Sequence, residues 1–408
     1  MILLTSCVHT ISFNYWKTMN PTTTRRIESL DLLKGLVIIF MALDHTRDYF
    51  HHDSFMFDPT DPEKTNLALF FTRWITHYCA PVFSLLAGVS AYLVGRRKSK
   101  KELSYFLLKR GLWLVFIEFT IVGFGWSFNV DFNTFGLLVI WSLGISMIFL
   151  AGIIYLPLKY ILIFSLLFIF GHNLLDYVSF QNNPLWSIIH ERGRFEIFNG
   201  ITVRIVYPIV PWIGVMSLGY YIGKFYDKTI DPKKRQFLFT MIGISTIVLF
   251  LIIRSVNLYG NPKHWESFGS LLQTMYSFLD PSKYPPSLSY LLMTLGPAFL
   301  FLGISEHVRG RLVRFVSVFG KVPFFFYIIH IYVIHVFAML LVELTGFGWR
   351  TMILNGFVSL ENQLKGYGVN LWYVYAVWIG IVLMLYPLCK KFSDYKLNHK
   401  EKKWLSYF

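Results

Sequence analysis

Stretches of about 20 mostly apolar residues recur along the whole chain, and no other feature limits its fold as tightly. A helix of that length spans the hydrocarbon core of a bilayer. Ten candidate spans lie roughly at 30–50, 67–95, 111–128, 136–156, 160–178, 205–223, 236–254, 287–304, 318–342 and 369–389. Of the 408 residues, 55% are hydrophobic and only 15% charged, against about 25% charged in a soluble domain. Apolar residues exceed what a globular core can hide, and disordered, collagen-like, coiled-coil and disulfide-scaffold classes are excluded. The expectation is an all-α, polytopic integral membrane bundle of about ten transmembrane helices.

The formal charge of +15 is topological in this reading. With a cytoplasmic N-terminus and alternating spans, 27 of the 38 Lys and Arg residues fall in inside segments. Such a bias follows the positive-inside rule and places both termini in the cytoplasm. A nucleic-acid footprint needs one soluble basic face, and none is present, so no nucleic-acid partner is expected. Cys7, Cys79 and Cys389 contain no CxxC, and Cys79 and Cys389 fall at opposite ends of their spans, which excludes a disulfide framework and a cysteine metal site. The first eighteen residues lack the basic n-region of a signal peptide, and Met19, ahead of a polar TTTRR run, is the expected start. The expected organisation is a cytoplasmic segment 1–24, one membrane domain 25–392 and a basic cytoplasmic tail 393–408. The longest outer pieces, 179–204, 255–286 and 343–368, read as short re-entrant or interfacial helices over an outer cavity.

Ionisable residues inside a span are expensive and mark function. The first span, LDLLKGLVIIFMALDHTRDYFHHD, carries Asp44, His45, Arg47 and Asp48 in its outer third, then His51 and His52. Asp44, Asp48 and His51 share a helical face. His45 stands beside it, where a carboxylate would fix one imidazole tautomer and so prepare a general base. Arg73 and His77 sit one turn apart in the outer half of the second span and offer oxyanion stabilisation. The plainer alternative is ion pairing that anchors the helices. His330 and His335 are five residues apart in the ninth span, so one at most faces a common cavity. Glu118 is expected to pair with a cation of another helix, and the cluster from His190 to Glu196 to be a solvated loop. Pro81, Pro208, Pro211 and Pro297 are expected to kink helices, and Gly214, Gly219 and Gly223 to permit close helix packing.

RIESLDLLKGLVIIFMALDH resembles the first-helix signature of the transmembrane acyltransferase superfamily, with Arg26, Asp31, Lys34, Gly35 and His45 at the signature positions. LFFTRWITHYCAPVFSLLAGVSAYL, YPIVPWIGVMSLGYYIGK, YPPSLSYLLMTLGP and FGKVPFFFYIIHIYVIH look like a bacterial branch similar to the catalytic domain of heparan-alpha-glucosaminide N-acetyltransferase. The resemblance spans roughly residues 25–340. It implies transfer of an acetyl group from cytosolic acetyl-CoA to an extracytoplasmic glycan or amino sugar, with a catalytic His after the first helix. His51 or His52 could fill that place, while His45 matches the first-helix His of the wider superfamily; His45 is the first choice and His51 the second, with Asp44, Asp48, His77 and Arg73 as further catalytic candidates. Arg96, Arg97, Lys98 and Arg110 would meet the phosphates of the donor. No metal is expected, the protein would sit in a bacterial inner membrane, and a homodimer is compatible. An acyl-histidine route stays open beside the general-base route. A transporter using the same Asp, His and Arg side chains as a proton relay is the rival from another class, although the paired halves typical of carriers are not visible.

Overall fold

The computed structural model describes residues 27–198 and 200–407. Segment 1–24, with Cys7 and Met19, and the signature residue Arg26 lie outside them. The helices are α1 (Glu28–Phe50), α2 (Leu67–Thr76), α3 (Cys79–Gly95), α4 (Lys100–Ile117), α5 (Gly123–Ser127), α6 (Val139–Ile153), α7 (Leu158–Gly171) and α8 (Pro184–Ile189). They continue with α9 (Val210–Ile222), α10 (Pro232–Val256), α11 (Leu271–Leu279), α12 (Leu288–Ile304), α13 (Arg311–Lys321), α14 (Pro323–Leu344) and α15 (Leu371–Asn398). One small sheet departs from the all-α expectation: β1 (Thr134–Leu137) pairs in parallel with β3 (Thr202–Ile205), and β2 (Gly193–Glu196) pairs antiparallel with β3.

Among the described residues, five helical stretches are long and apolar enough to cross a bilayer: Leu67–Gly95, Leu158–Tyr177, Pro232–Val256, Pro323–Leu344 and Leu371–Asn398. Val139–Ile153 and Leu288–Ile304 are apolar but shorter. Two long helices miss that set because of their charges. Lys34, Asp44, Arg47 and Asp48 lie within α1, and Lys100, Lys101, Glu102, Lys109 and Arg110 within α4. The chain is thus a mostly helical, multi-pass membrane protein.

Local chemistry moves several boundaries away from the sequence reading. The third span begins earlier, at Lys100, because Ser99 and Glu102 form a reciprocal capping box there. It ends in a π-helical turn, Glu118–Val122, that leads into α5. The ninth span is broken at Val322, since Pro323 has no N–H with which to continue α13 and instead opens α14. The second span is interrupted at His77 and Tyr78, between α2 and α3. Pro81 and Pro211 stand in first helical turns and Pro208 precedes α9, so of the four expected kinks only Pro297 lies inside a helix. Pro387, inside α15, was not anticipated. Two of the long loops contain the short helices α8 and α11, and the third is built from 3-10 turns.

Close helix approach depends on glycine at several interfaces. A Cβ on Gly219 would lie 2.0 Å from the Leu85 carbonyl oxygen, and one on Gly88 2.0 Å from that of Met216, so α3 and α9 touch backbone to backbone. The same holds where α1 meets α13, at Gly35 and Gly320. The first helix is also tied to the last. Val369 donates its N–H to the Phe50 carbonyl at 2.7 Å, His52 donates back to Val369 at 3.2 Å, and the Trp378 indole donates to Ile39 at 2.9 Å.

Candidate active site

The C-terminal third of α1 meets α14. Nδ1 of His45 lies 2.8 Å from Nε2 of His330, and Nδ1 of His330 lies 2.9 Å from the Phe326 carbonyl one turn earlier. A carbonyl only accepts, so His330 carries its hydrogen on Nδ1, and in the neutral ring Nε2 is the acceptor. His45 therefore donates from Nδ1, which leaves its Nε2 with the lone pair. His330 is fully buried and stacks on Phe326, with ring centroids 5.1 Å apart. Trp126 of α5 packs edge-on against His45 at 4.6 Å. The expected carboxylate partner is replaced by a histidine 285 residues away.

Asp44 and Asp48 are engaged elsewhere. Both Asp44 oxygens lie 2.8 Å from Nη1 of Arg73, Oδ1 lies 2.9 Å from Nη2 of Arg47, and Lys283 stands 3.8 Å away. Asp48 takes the same Arg47 nitrogen at 2.5 Å. One buried carboxylate thus gathers three cations, a geometry that satisfies charges which hydrocarbon cannot solvate. The ion pairing weighed as the plainer alternative is present, and it surrounds the dyad.

These groups line a cavity of about 470 Å³. His45, Asp44, Asp48 and Arg73 face it, together with Lys283 and Arg192. Tyr207, Tyr284 and Trp126 add aromatic wall, and Cys79 also borders it. Asp58, in the loop after α1, lies at its edge. Burial alone would raise the Asp58 carboxyl, but the Thr60 backbone N–H, Arg73 and the Thr60 hydroxyl outweigh it and hold the group below the usual carboxylate range.

A second cavity, of about 180 Å³ and largely apolar, carries Lys34 and Arg110. Met41, Val139 and Tyr327 border both cavities. Lys34 donates to Ser90 at 2.9 Å, and Arg110 donates to the Ser406 carbonyl. The other cationic candidates stay outside this cavity. Arg96 bonds Asp227 at 3.2 Å, while Arg97 and Lys98 occupy the exposed turn before Ser99.

His77 and His51 do not reach the His45 cavity. His77 is buried at the end of α2, where its carbonyl accepts from Tyr290 at 2.7 Å. His51 is buried where α1 joins the Val369 backbone, so of the face shared by Asp44, Asp48 and His51 only the two carboxylates line the cavity. Among the described residues one trio, His51, His52 and Asp53, has ligand-type atoms within 4.8 Å of one another. His52 is half exposed, and its Nε2 pairs with Asp53 at 3.0 Å. His335 points elsewhere than His330, between the carbonyls of Gly125 and Met352 at 2.9 and 2.8 Å.

Two further expectations are corrected. Among the described residues Glu118 pairs with no cation; its Oε2 accepts the Trp141 backbone N–H at 2.8 Å, at the start of α6. His190 is buried and bonds Asp176 at 2.7 Å, so this stretch is not a simple solvated loop. The sequence does not announce Lys283, Tyr284, Arg192, Trp126 and Tyr327 as cavity residues, nor His330 as the partner of His45. A lone Lys beside Tyr-Pro-Pro, and an imidazole at mid-span, were the available signals.

Residues 26–258 match the family model of the heparan-alpha-glucosaminide N-acetyltransferase catalytic domain. That range covers more than half of the chain and runs from the start of α1 through α10, so it contains His45, Asp44 and Arg73, while His330 and Lys283 follow it. Among curated proteins none matches the chain. With a match of this extent over a helical membrane bundle, the chain belongs to the heparan-alpha-glucosaminide N-acetyltransferase catalytic-domain family and is a membrane acyltransferase at that level.

Proposed function

We propose that the protein transfers an acetyl or other short acyl group from cytosolic acyl-CoA to an amine or hydroxyl of an extracytoplasmic sugar or glycan, with His45 as general base. The observation that carries this reading is the contact of the two cavities at Met41, Val139 and Tyr327, beside His45. The Lys34 cavity is the donor side. Its apolar walls suit a pantetheine arm, and Lys34 and Arg110 suit the phosphates. The His45 cavity is the acceptor side, where Tyr207 and Tyr284 offer faces to a sugar ring and Asp44 is held in place by its cations.

The acceptor's nitrogen or oxygen attacks the thioester carbon, and its proton passes to Nε2 of His45. The carbonyl pair moves to oxygen and returns as the C–S bond breaks, and the proton leaves with the sulfur as free thiol. His330 holds the imidazole in the tautomer that makes this possible. The positive-inside bias supports a cytoplasmic Lys34 end, and a bacterial inner membrane is the proposed location.

The test uses the detergent-solubilised protein and reads free thiol from acetyl-CoA, with and without glucosamine as acceptor. His45→Ala is expected to lose at least about 10²-fold in turnover, the scale of a general base, while its thermal unfolding stays close to the parent. Wild-type turnover in that variant would remove His45 from the chemistry.

A further inference from the structure

The reading above leaves the developing oxyanion without a donor. His77 does not reach the His45 cavity, and Nη1 of Arg73 is engaged by both oxygens of Asp44. The buried N–H and O–H groups around His45 supply the candidates. Several indole N–H groups in the described residues are buried without an acceptor, among them those of Trp74, Trp141 and Trp212. Trp126 is the one of this kind that lines the His45 cavity; its N–H makes no full hydrogen bond, and the Tyr327 side chain is the hydrogen-bonding group beside it. An unsatisfied donor sealed from water is costly, and at a reactive site it is a pre-aimed one.

The position of Trp126 is built by the chain. Glu118–Val122 form a π-helical turn, which inserts an extra residue into the helix and re-aims everything that follows. Glu118 fixes that turn to the start of α6 through the Trp141 N–H, and Tyr332 caps its Ile121 carbonyl at 2.6 Å. Beyond the turn, the Trp126 carbonyl accepts the Tyr49 hydroxyl at 2.5 Å. The ring is thereby pressed on His45, with centroids 4.6 Å apart and planes at 74°. Tyr327 approaches the same imidazole from α14, with centroids 6.4 Å apart. It neighbours the Trp126 indole and borders both cavities.

We infer that the Trp126 indole N–H and the Tyr327 hydroxyl form the oxyanion hole of the acyl transfer. A thioester that comes through from the Lys34 cavity must pass Tyr327, and its carbonyl oxygen then takes the place between the two donors. When the acceptor atom bonds to the carbonyl carbon, the π pair moves to that oxygen and both hydrogen bonds strengthen. When the pair returns, the C–S bond breaks and the two donors are released unchanged. Both groups are neutral, so they bind the ground-state carbonyl weakly and the oxyanion strongly, the condition for raising kcat. The inference rests on the proposed acyl transfer with His45 as base.

The experiment compares Trp126→Phe, Trp126→His, Tyr327→Phe and His45→Ala in the full-length protein in detergent. It measures free thiol from acetyl-CoA with glucosamine present, and thermal unfolding as a fold control. Loss of one oxyanion donor costs about 10²–10³-fold in kcat in well-studied cases. Trp126→Phe and Tyr327→Phe are each expected to lower kcat by about 10²-fold, with the acetyl-CoA KM within about threefold of the parent. Trp126→His, which keeps a ring N–H, is expected to recover part of that loss, which a packing role would not produce. Wild-type kcat in both phenylalanine variants beside an inactive His45→Ala would overturn the oxyanion hole and leave the acyltransferase reading standing. A raised KM with unchanged kcat would also overturn it, as would a loss confined to one of the two. Full turnover in His45→Ala would instead overturn the reading beneath it.

Discussion

Both carboxylate oxygens of Asp44 lie 2.8 Å from a single guanidinium nitrogen of Arg73, although the two residues belong to different helices. The pair is also the meeting point of Arg47 and Lys283, so the charge of Asp44 is shared among three cations in a buried site. Asp44→Asn would leave those cations facing one another. Breaking a buried pair from one side costs about 3–5 kcal/mol. The expected result is a clear fall in the thermal unfolding temperature in detergent, partly reversed in Asp44→Asn with Arg73→Gln. A double variant no better than the single one would mean that Asp44 is not the counter-ion that holds this cluster.

The His45–His330 dyad predicts an asymmetry between substitutions. His330→Gln retains an oxygen that can accept from Nδ1 of His45, whereas His330→Leu does not. With the tautomer no longer fixed, His330→Leu is expected to lose about 10²-fold or more in turnover, the scale of a mispositioned general base. His330→Gln should retain substantially more, with an altered pH–rate profile in both. Equal loss in the two would assign His330 to packing alone.

Asp280 gives a pH-dependent stability with a definite sign. It lies in the loop after α11, where burial pushes its carboxyl up to about 6, against a smaller opposing pull from Lys263. A carboxyl raised in the folded protein holds its proton there at pH values where the unfolded chain has released it. Stability therefore falls as pH rises from about 4 to about 6, and the cost persists above that. Asp280→Asn should raise stability at pH 7.5 by on the order of 2 kcal/mol and change little at pH 4. A thermal unfolding series across that range checks it, and an equal effect at both ends would refute the cause.

The interface of α3 and α9 should be intolerant of a single methyl group. Gly219→Ala places a Cβ against the Leu85 carbonyl, which is backbone and has no rotamer to yield. Overpacking of this kind costs about 1–3 kcal/mol. Gly152→Ala, with nothing within 4 Å of the new atom, is the control and should be neutral or slightly stabilising. Comparison of detergent unfolding temperatures separates the two.

Much of this arrangement is legible in the amino-acid order. The apolar segments locate the helices, and charge within a segment sets apart α1 and the turn that carries Arg73. The spacing of His330 and His335 correctly separates their directions. Which neighbour each residue meets is another matter. In lipid the outside of a helix is as apolar as its inside, so hydrophobic periodicity does not reveal the face that turns inward. That is why the sequence pairs His45 with carboxylates on its own helix, rather than with an imidazole nearly three hundred positions later. Glu118 shows the same limit, since its partner is a main-chain N–H that no residue type announces. The break at Val322 was marked by Pro323, yet the apolar run on both sides of it reads as one span.

The backbone bonds between Phe50, His52 and Val369, with the indole of Trp378 on Ile39, fasten the beginning of the helical array to its end. The first helix is thus held directly by the last, and continuity of the covalent thread is not what keeps the two halves together. A protease that nicked the exposed segment between α10 and α11 would sever the polypeptide and leave a noncovalent pair of fragments. One fragment would carry His45 and the other His330, still gripping each other across the same seam.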